Sequence, residues 1–132
     1  MGDVVIVDAI RTPIGRRNGM FADVHPVDLL VPVLQQLVER NELDPNEIDD
    51  VITGCATATD EQGGNISRFA TLAAGLPVDI PAYSINRLCG SSQQAIHSAS
   101  QAILAKDADI VIACGVESMT RVPMGSDIGN FS

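Results

Sequence analysis

Four short apolar runs, Val4–Val7, Val51–Cys55, Ile80–Ile85 and Ile110–Cys114, are each bounded by charged or turn residues, and each has the length of a β-strand. Three segments between them carry apolar residues at spacings of three and four, which aligns those residues on one helix face. The first holds Val27, Leu30, Leu34, Leu37 and Val38. Pro26 suits its first helical position, whereas Pro32 lacks the N–H an interior residue donates, so a kink or a later start is expected there. In the second, Asn65 is a candidate N-cap, Phe69, Leu72 and Ala73 lie on one side, and Gly75 and Pro77 end the helix. The third runs from about Ser91 to Ala105, with Ala95, Ile96, Ala99, Ala102 and Ile103 forming a mostly alanine face that a neighbour can approach closely. Strands alternating with helices over connections this short predict an α/β fold: a largely parallel sheet with helices on its faces. The tail from Arg121 to Ser132 has lost this periodicity.

Composition narrows the function. A chain of 132 residues can bury a core of its own, and no internal repeat or linker divides it. Seventeen acidic residues against eight basic give a net charge of −9, which argues against nucleic acid and anionic membrane surfaces as partners. No apolar run reaches the length of a membrane span. The start, with Asp3, Asp8 and Arg11 around four apolar residues, has no signal-peptide pattern, and Ile6 stands where a myristoylation motif needs Ser or Thr. Cys55, Cys89 and Cys114 are an odd number without a Cys-x-x-Cys pair. Neither a disulfide framework nor a metal site is indicated, and reduced thiols in a cytoplasmic compartment are expected.

Candidate chemistry centres on Cys89, which lies between the third apolar run and the third helix. Ligands of open α/β sheets bind at the carboxyl ends of the strands, and a helix N-terminus there offers free N–H groups and a positive dipole end that favour a thiolate. Gly90 keeps bulk out of the turn, and the Cys89 N–H can donate to an oxyanion formed at an attacked carbonyl. Burial as a small hydrophobe is the competing reading for Cys89 and the preferred one for Cys55 and Cys114. Neither histidine suits the role of a base. His25 reads as helix-start punctuation, and His97 lies two turns along the helix that Cys89 opens. Gly63-Gly64 with Arg68 reads as a flexible turn and a structural ion pair before it reads as a phosphate cradle, and Asp49 and Asp50 mark the solvated approach to the second strand.

Taken in order, "VVIVDAIRTPIG", "DPNEIDDVITG", "GGNISRFATLAAGLP", "INRLCGSSQQAI" and "ACGVESMTRVPMG" resemble the N-terminal part of the thiolases along the whole chain. The resemblance implies a three-layer α/β/α thiolase-like half lacking its fifth strand, with residues 1–118 as an incomplete N-terminal domain and 119–132 as the start of a loop domain. It also implies acyl transfer between CoA thioesters through an acylated Cys89, whose own N–H serves as an oxyanion donor. CoA and acyl-CoA enter as substrates, with no permanently bound cofactor, and the full chain is expected to form a homo-oligomer, dimer or tetramer. The family's activating histidine and second cysteine belong to motifs not found in these residues, so the chain is expected to be a fragment, or to rely on another polypeptide. The sheet is then expected to have a gap between its first and fourth strands. A non-catalytic interaction module is the alternative, and a ketoacyl synthase of the same broader fold a weaker third reading.

Overall fold

A computed structural model describes residues 3–129. Three parallel strands, β1 (Asp50–Gly54), β2 (Ala82–Ile85) and β3 (Val111–Gly115), form a sheet in the order β2-β1-β3. The helices are α1 (Pro26–Arg40), α2 (Ile66–Ala73) and α3 (Ser91–Ala105). Single 3-10 turns lie at Pro45–Glu47 and Asp60–Gln62. The period of two along β1 sends successive side chains to opposite faces. Val51 and Cys55 pack with Leu30 and Leu34 of α1, Ile66 and Ala70 of α2, and Ile112 of β3. Ile52 packs on the other face against Ala95 and Ala99 of α3, with Val111 and Ala113 beside them. The expected three layers are therefore present, with α1 and α2 on one face and α3 on the other.

The first apolar run departs from its expectation. Among the described residues Val4–Val7 joins no ladder, and Val5, Ile6 and Val7 are 69%, 76% and 82% exposed. A strand is held by hydrogen bonds to a neighbour, and none of the described strands pairs with this one. The segment is anchored instead at its end, where the Asp8 carboxylate meets Arg40 at 3.1 Å and Asn41 at 2.8 Å at the end of α1.

The helices begin and end for local reasons. His25 is the N-cap of α1, its Nδ1 accepting the Val27 N–H, and Pro26 follows at the first position. Pro32 does not end the helix. It lies on the exposed side, where the Asp28 carbonyl it leaves unpaired faces solvent, while Leu30 and Leu34 hold the buried stripe. Asn65 caps α2 through the Arg68 N–H, and Gly75 at φ +77° terminates the helix in the left-handed conformation.

The buried side of α2 is not the one the apolar spacing indicates. Ile66, Ser67, Ala70 and Thr71 are buried, while Phe69 and Leu72 are 53% and 45% exposed and Ala73 is exposed too. Hydroxyls account for this choice. Ser67 Oγ donates to the Val51 carbonyl at 2.8 Å and accepts from Thr53 Oγ1, and Thr71 Oγ1 bonds the Ser67 carbonyl. Each buried polar group is satisfied, so small hydroxyl residues let the helix sit closer to the sheet than Phe69 and Leu72 could. On α3, Ala95 and Ala99 are buried as expected, but Ile96 is exposed.

Asp49 is more than a solvated approach to β1. Its Oδ2 accepts the N–H groups of Asp109 at 2.6 Å and Ile110 at 3.0 Å, fastening the turn before β3. Those bonds hold its carboxyl below the usual carboxylate range, whereas burial pushes the neighbouring Asp50 up. A carboxyl lowered in the folded chain contributes stability above its unfolded pKa of about 3.9 and loses it as pH falls through the folded value. Asp49→Asn is thus expected to lower the urea midpoint at pH 7 and to approach the parent protein as pH falls through the folded value of Asp49. Urea titrations across that range check it, and an equal gap at both ends contradicts it.

Candidate active site

The carboxyl ends of the three strands converge under the N-terminus of α3. Gly54 and Gly115 are paired across β1 and β3, and the first residues of α3 lie on them. A Cβ on Gly54 would stand 2.3 Å from the Ser92 nitrogen, and one on Gly115 1.8 Å from Ser92 Oγ. These two glycines bring the helix end down onto the sheet, a role the sequence pattern alone did not assign to either.

Cys89 sits at that helix end, exposed, in the turn between β2 and α3. Among the described residues no acceptor takes its backbone N–H. The N-cap residue Gly90 makes no side-chain cap bond, and the N–H groups of Ser92 and Gln93 in the first turn are equally free. The turn's unusual conformation belongs to Leu88, not to Gly90. Leu88 has φ +49°, while Gly90 has φ −94° and a side chain there would make only ordinary contact. A left-handed leucine costs about 1–2 kcal/mol, so its surroundings must hold it. The Leu88 N–H donates to Asn86 Oδ1 at 2.9 Å and its carbonyl accepts from Ser91 Oγ at 2.6 Å. Ser91 Oγ also accepts the Arg87 N–H at 2.8 Å.

A cleft of about 400 Å³ opens beside Cys89, with Leu88, Val116, Met119 and Met124 as its larger apolar lining. A larger cleft of about 710 Å³ lies between the Ile10–Arg17 segment and α1, and Cys89 does not line it. Glu117 organises the wall of the smaller cleft. Its carboxylate accepts the N–H groups of Ala56 at 2.8 Å and Thr57 at 3.1 Å, and Gln62 Nε2 at 2.9 Å. Buried Gln62 also accepts the Ser118 N–H at 2.6 Å, so the loops after β1 and β3 are locked together. Glu117 and Gln62 escaped the sequence reading because their roles depend on partners about 55–60 residues away.

The other two thiols are unlike Cys89. Burial pushes the Cys55 thiol up to about 12, with the negative charges of Glu117 and Asp127 adding to the shift. Burial likewise raises Cys114, whose Sγ lies 3.1 Å from Thr53 Oγ1. Cys55 is buried as expected, and Cys114 is partly so. Neither His25 nor His97 lines the Cys89 cleft, and His97 is exposed on α3. Gly63 and Gly64 form the turn into the Asn65 cap, with Gly64 at φ +61°. Among the described residues Arg68 has no ion-pair partner; its guanidinium donates to the carbonyls of Ile80 and Val78 at 2.6 and 2.7 Å.

Comparison with known proteins converges on one family. Residues 4–132 match the family model described as thiolase, N-terminal domain. The chain is 53% identical over 130 residues to a 3-ketoacyl-CoA thiolase of Aliivibrio salmonicida, covering 97% of this chain and 34% of that protein. It is 44% identical over 126 residues to the steroid 3-ketoacyl-CoA thiolase FadA6 of Mycobacterium tuberculosis, covering 96% and 31%. The crystal structure of the Bacillus anthracis acetyl-CoA acetyltransferase superposes with a TM-score of 0.81 at 38% identity, over 93% of this chain and 33% of that one. The chain thus spans about a third of the length of the curated relatives it matches. With the family model spanning almost every residue and the same α/β layers recurring in a solved relative, this chain belongs to the thiolase family.

Proposed function

We propose that this chain supplies the nucleophile of a thiolase, transferring acyl groups between CoA thioesters through a covalent acyl-Cys89. The observation that carries the reading is the placement of Cys89: exposed, on a cleft, at the N-terminus of α3, with its own N–H free. In the degradative direction the Cys89 thiolate attacks the 3-keto carbon of a 3-ketoacyl-CoA. The bond between the second and third acyl carbons breaks, its electron pair leaves on acetyl-CoA and is protonated, and the acyl group stays on sulfur. A second CoA thiol then attacks the acyl-cysteine, giving acyl-CoA and restoring Cys89. The condensation of two acetyl-CoA molecules runs through the same parts in reverse. The free Cys89 N–H supplies one donor to the oxyanion that forms when sulfur adds to the carbonyl. Neither histidine of the chain lines the cleft, so an imidazole base has to come from elsewhere.

The substrates in this reading are CoA and acyl-CoA, and CoA acts as substrate, not as a resident cofactor. Homo-oligomerisation through the free edge of β2 is part of the same proposal. It is supported by the absence, among the described residues, of a neighbour on that side of β2 and by the exposed side chains of Phe69, Leu72 and Tyr83. Among the described residues no helix is long and apolar enough to cross a membrane.

The test is to incubate the native polypeptide carrying these residues with radiolabelled acetyl-CoA, quench in acid, and map the label. The expected result is one hydroxylamine-sensitive acyl thioester on the peptide containing Cys89. Label on Cys55 or Cys114, or none on any cysteine, overturns the reading.

A further inference from the structure

We propose that Asn86 is a positioning residue for Cys89, holding Leu88 in the left-handed turn that presents the cysteine. The proposal rests on the reading of Cys89 as the nucleophile. Asn86 does not line the cleft, and its side chain is engaged at both ends of its amide. Its Oδ1 accepts the Leu88 N–H at 2.9 Å, and its Nδ2 donates to the Ala56 carbonyl at 2.8 Å. The Ala56 N–H in turn donates to Glu117 Oε2 at 2.8 Å. One line of bonds therefore joins the loops that follow all three strands, and Asn86 is the link that reaches the nucleophile turn.

The strain at Leu88 gives this link a job. At φ +49° a leucine relaxes toward an ordinary conformation unless its N–H and carbonyl are held, and Asn86 holds the N–H from a residue fastened to the neighbouring loop. Rotation of the peptide between Leu88 and Cys89 re-aims the sulfur and the free N–H together. Small displacements of a reacting group lower rates by up to about a hundredfold. Asn86 is exposed and buries no apolar surface, so its loss is expected to spare the core.

A double-mutant cycle tests this in the native polypeptide, with single-turnover acylation of Cys89 by acetyl-CoA as the readout. Asn86→Ala is expected to lower the acylation rate constant at saturation at least about tenfold, with KM changed by less than about twofold. In a Leu88→Gly background the same substitution is expected to cost less than about threefold, because glycine takes a positive φ without penalty. An equal loss in both backgrounds, or no loss with leucine present, overturns the positioning role. Absence of acylation at Cys89 in the unmutated protein overturns the functional reading itself and takes this proposal with it. The two failures are distinct, since the second does not depend on residue 86.

Discussion

Cys89→Ser is expected to leave the protein folded and to reduce acyl transfer in the native polypeptide by at least about 10⁴-fold. The side chain is exposed and takes part in no hydrogen bond among the described residues, so the packing of β2 and α3 does not depend on it. A serine hydroxyl at the same point, with neither histidine of the chain on the cleft, stays protonated and is a poor nucleophile. Alkylation supplies the matching contrast in the unmutated chain. With its thiol pushed up to about 12, Cys55 is thiolate in only about one molecule in ten thousand at pH 8, and burial slows Cys114 as well. Iodoacetamide followed by peptide mapping should therefore find the label on Cys89 first, and on all three cysteines equally in guanidinium. Simultaneous modification of the three thiols in the folded chain would count against a special site and favour a non-catalytic module.

The second large effect belongs to Gly54→Ala. The added methyl falls 2.3 Å from the Ser92 nitrogen, 2.5 Å from the Ser91 carbonyl carbon and 2.6 Å from the Ser92 Cα. All three atoms are backbone, so no side-chain rotation relieves the overlap. The start of α3 must lift from the sheet, which separates Ile52 from Ala95 and moves Cys89 away from the strand ends. A loss of about 3 kcal/mol or more is expected, a large share of the stability of a domain this size. Gly115→Ala should cost less, because the Ser92 hydroxyl at 1.8 Å can turn away, leaving the milder contacts of Ser92 Cβ at 2.9 Å and the Gly54 carbonyl oxygen at 3.1 Å. Urea unfolding of the two variants checks the order, and a Gly54→Ala midpoint within experimental error of the parent would show that α3 does not sit where described.

Much of this arrangement is legible in the chain. The runs at Val51–Cys55, Ile80–Ile85 and Ile110–Cys114 lie within a residue or two of β1, β2 and β3, and Asn65, Gly75 and Pro26 mark helix ends as their chemistry requires. Cys89 could be singled out because a strand-to-helix turn is a local pattern. The failures share one cause. Val4–Val7 has the composition of a strand, but a strand is a pairing and composition cannot provide the neighbour. Phe69 and Leu72 have the spacing of a buried face, yet Ser67 won the sheet side by bonding Thr53 and the Val51 carbonyl, with Thr71 buried beside it and its hydroxyl on the Ser67 carbonyl.

The sequence by itself determined the alternation of strands and helices, the class of fold and the position of the thiol at the head of α3, because each depends on residues within one or two turns of one another. Tertiary structure alone decided how that cysteine is held. Gly54 and Gly115 matter only once β1 and β3 lie side by side under α3. Glu117 matters only once it reaches Ala56 and Gln62, and Asn86 only once Ala56 is within reach. Each of those contacts joins residues 30 to 61 positions apart, and such distances are closed by packing, not by local pattern.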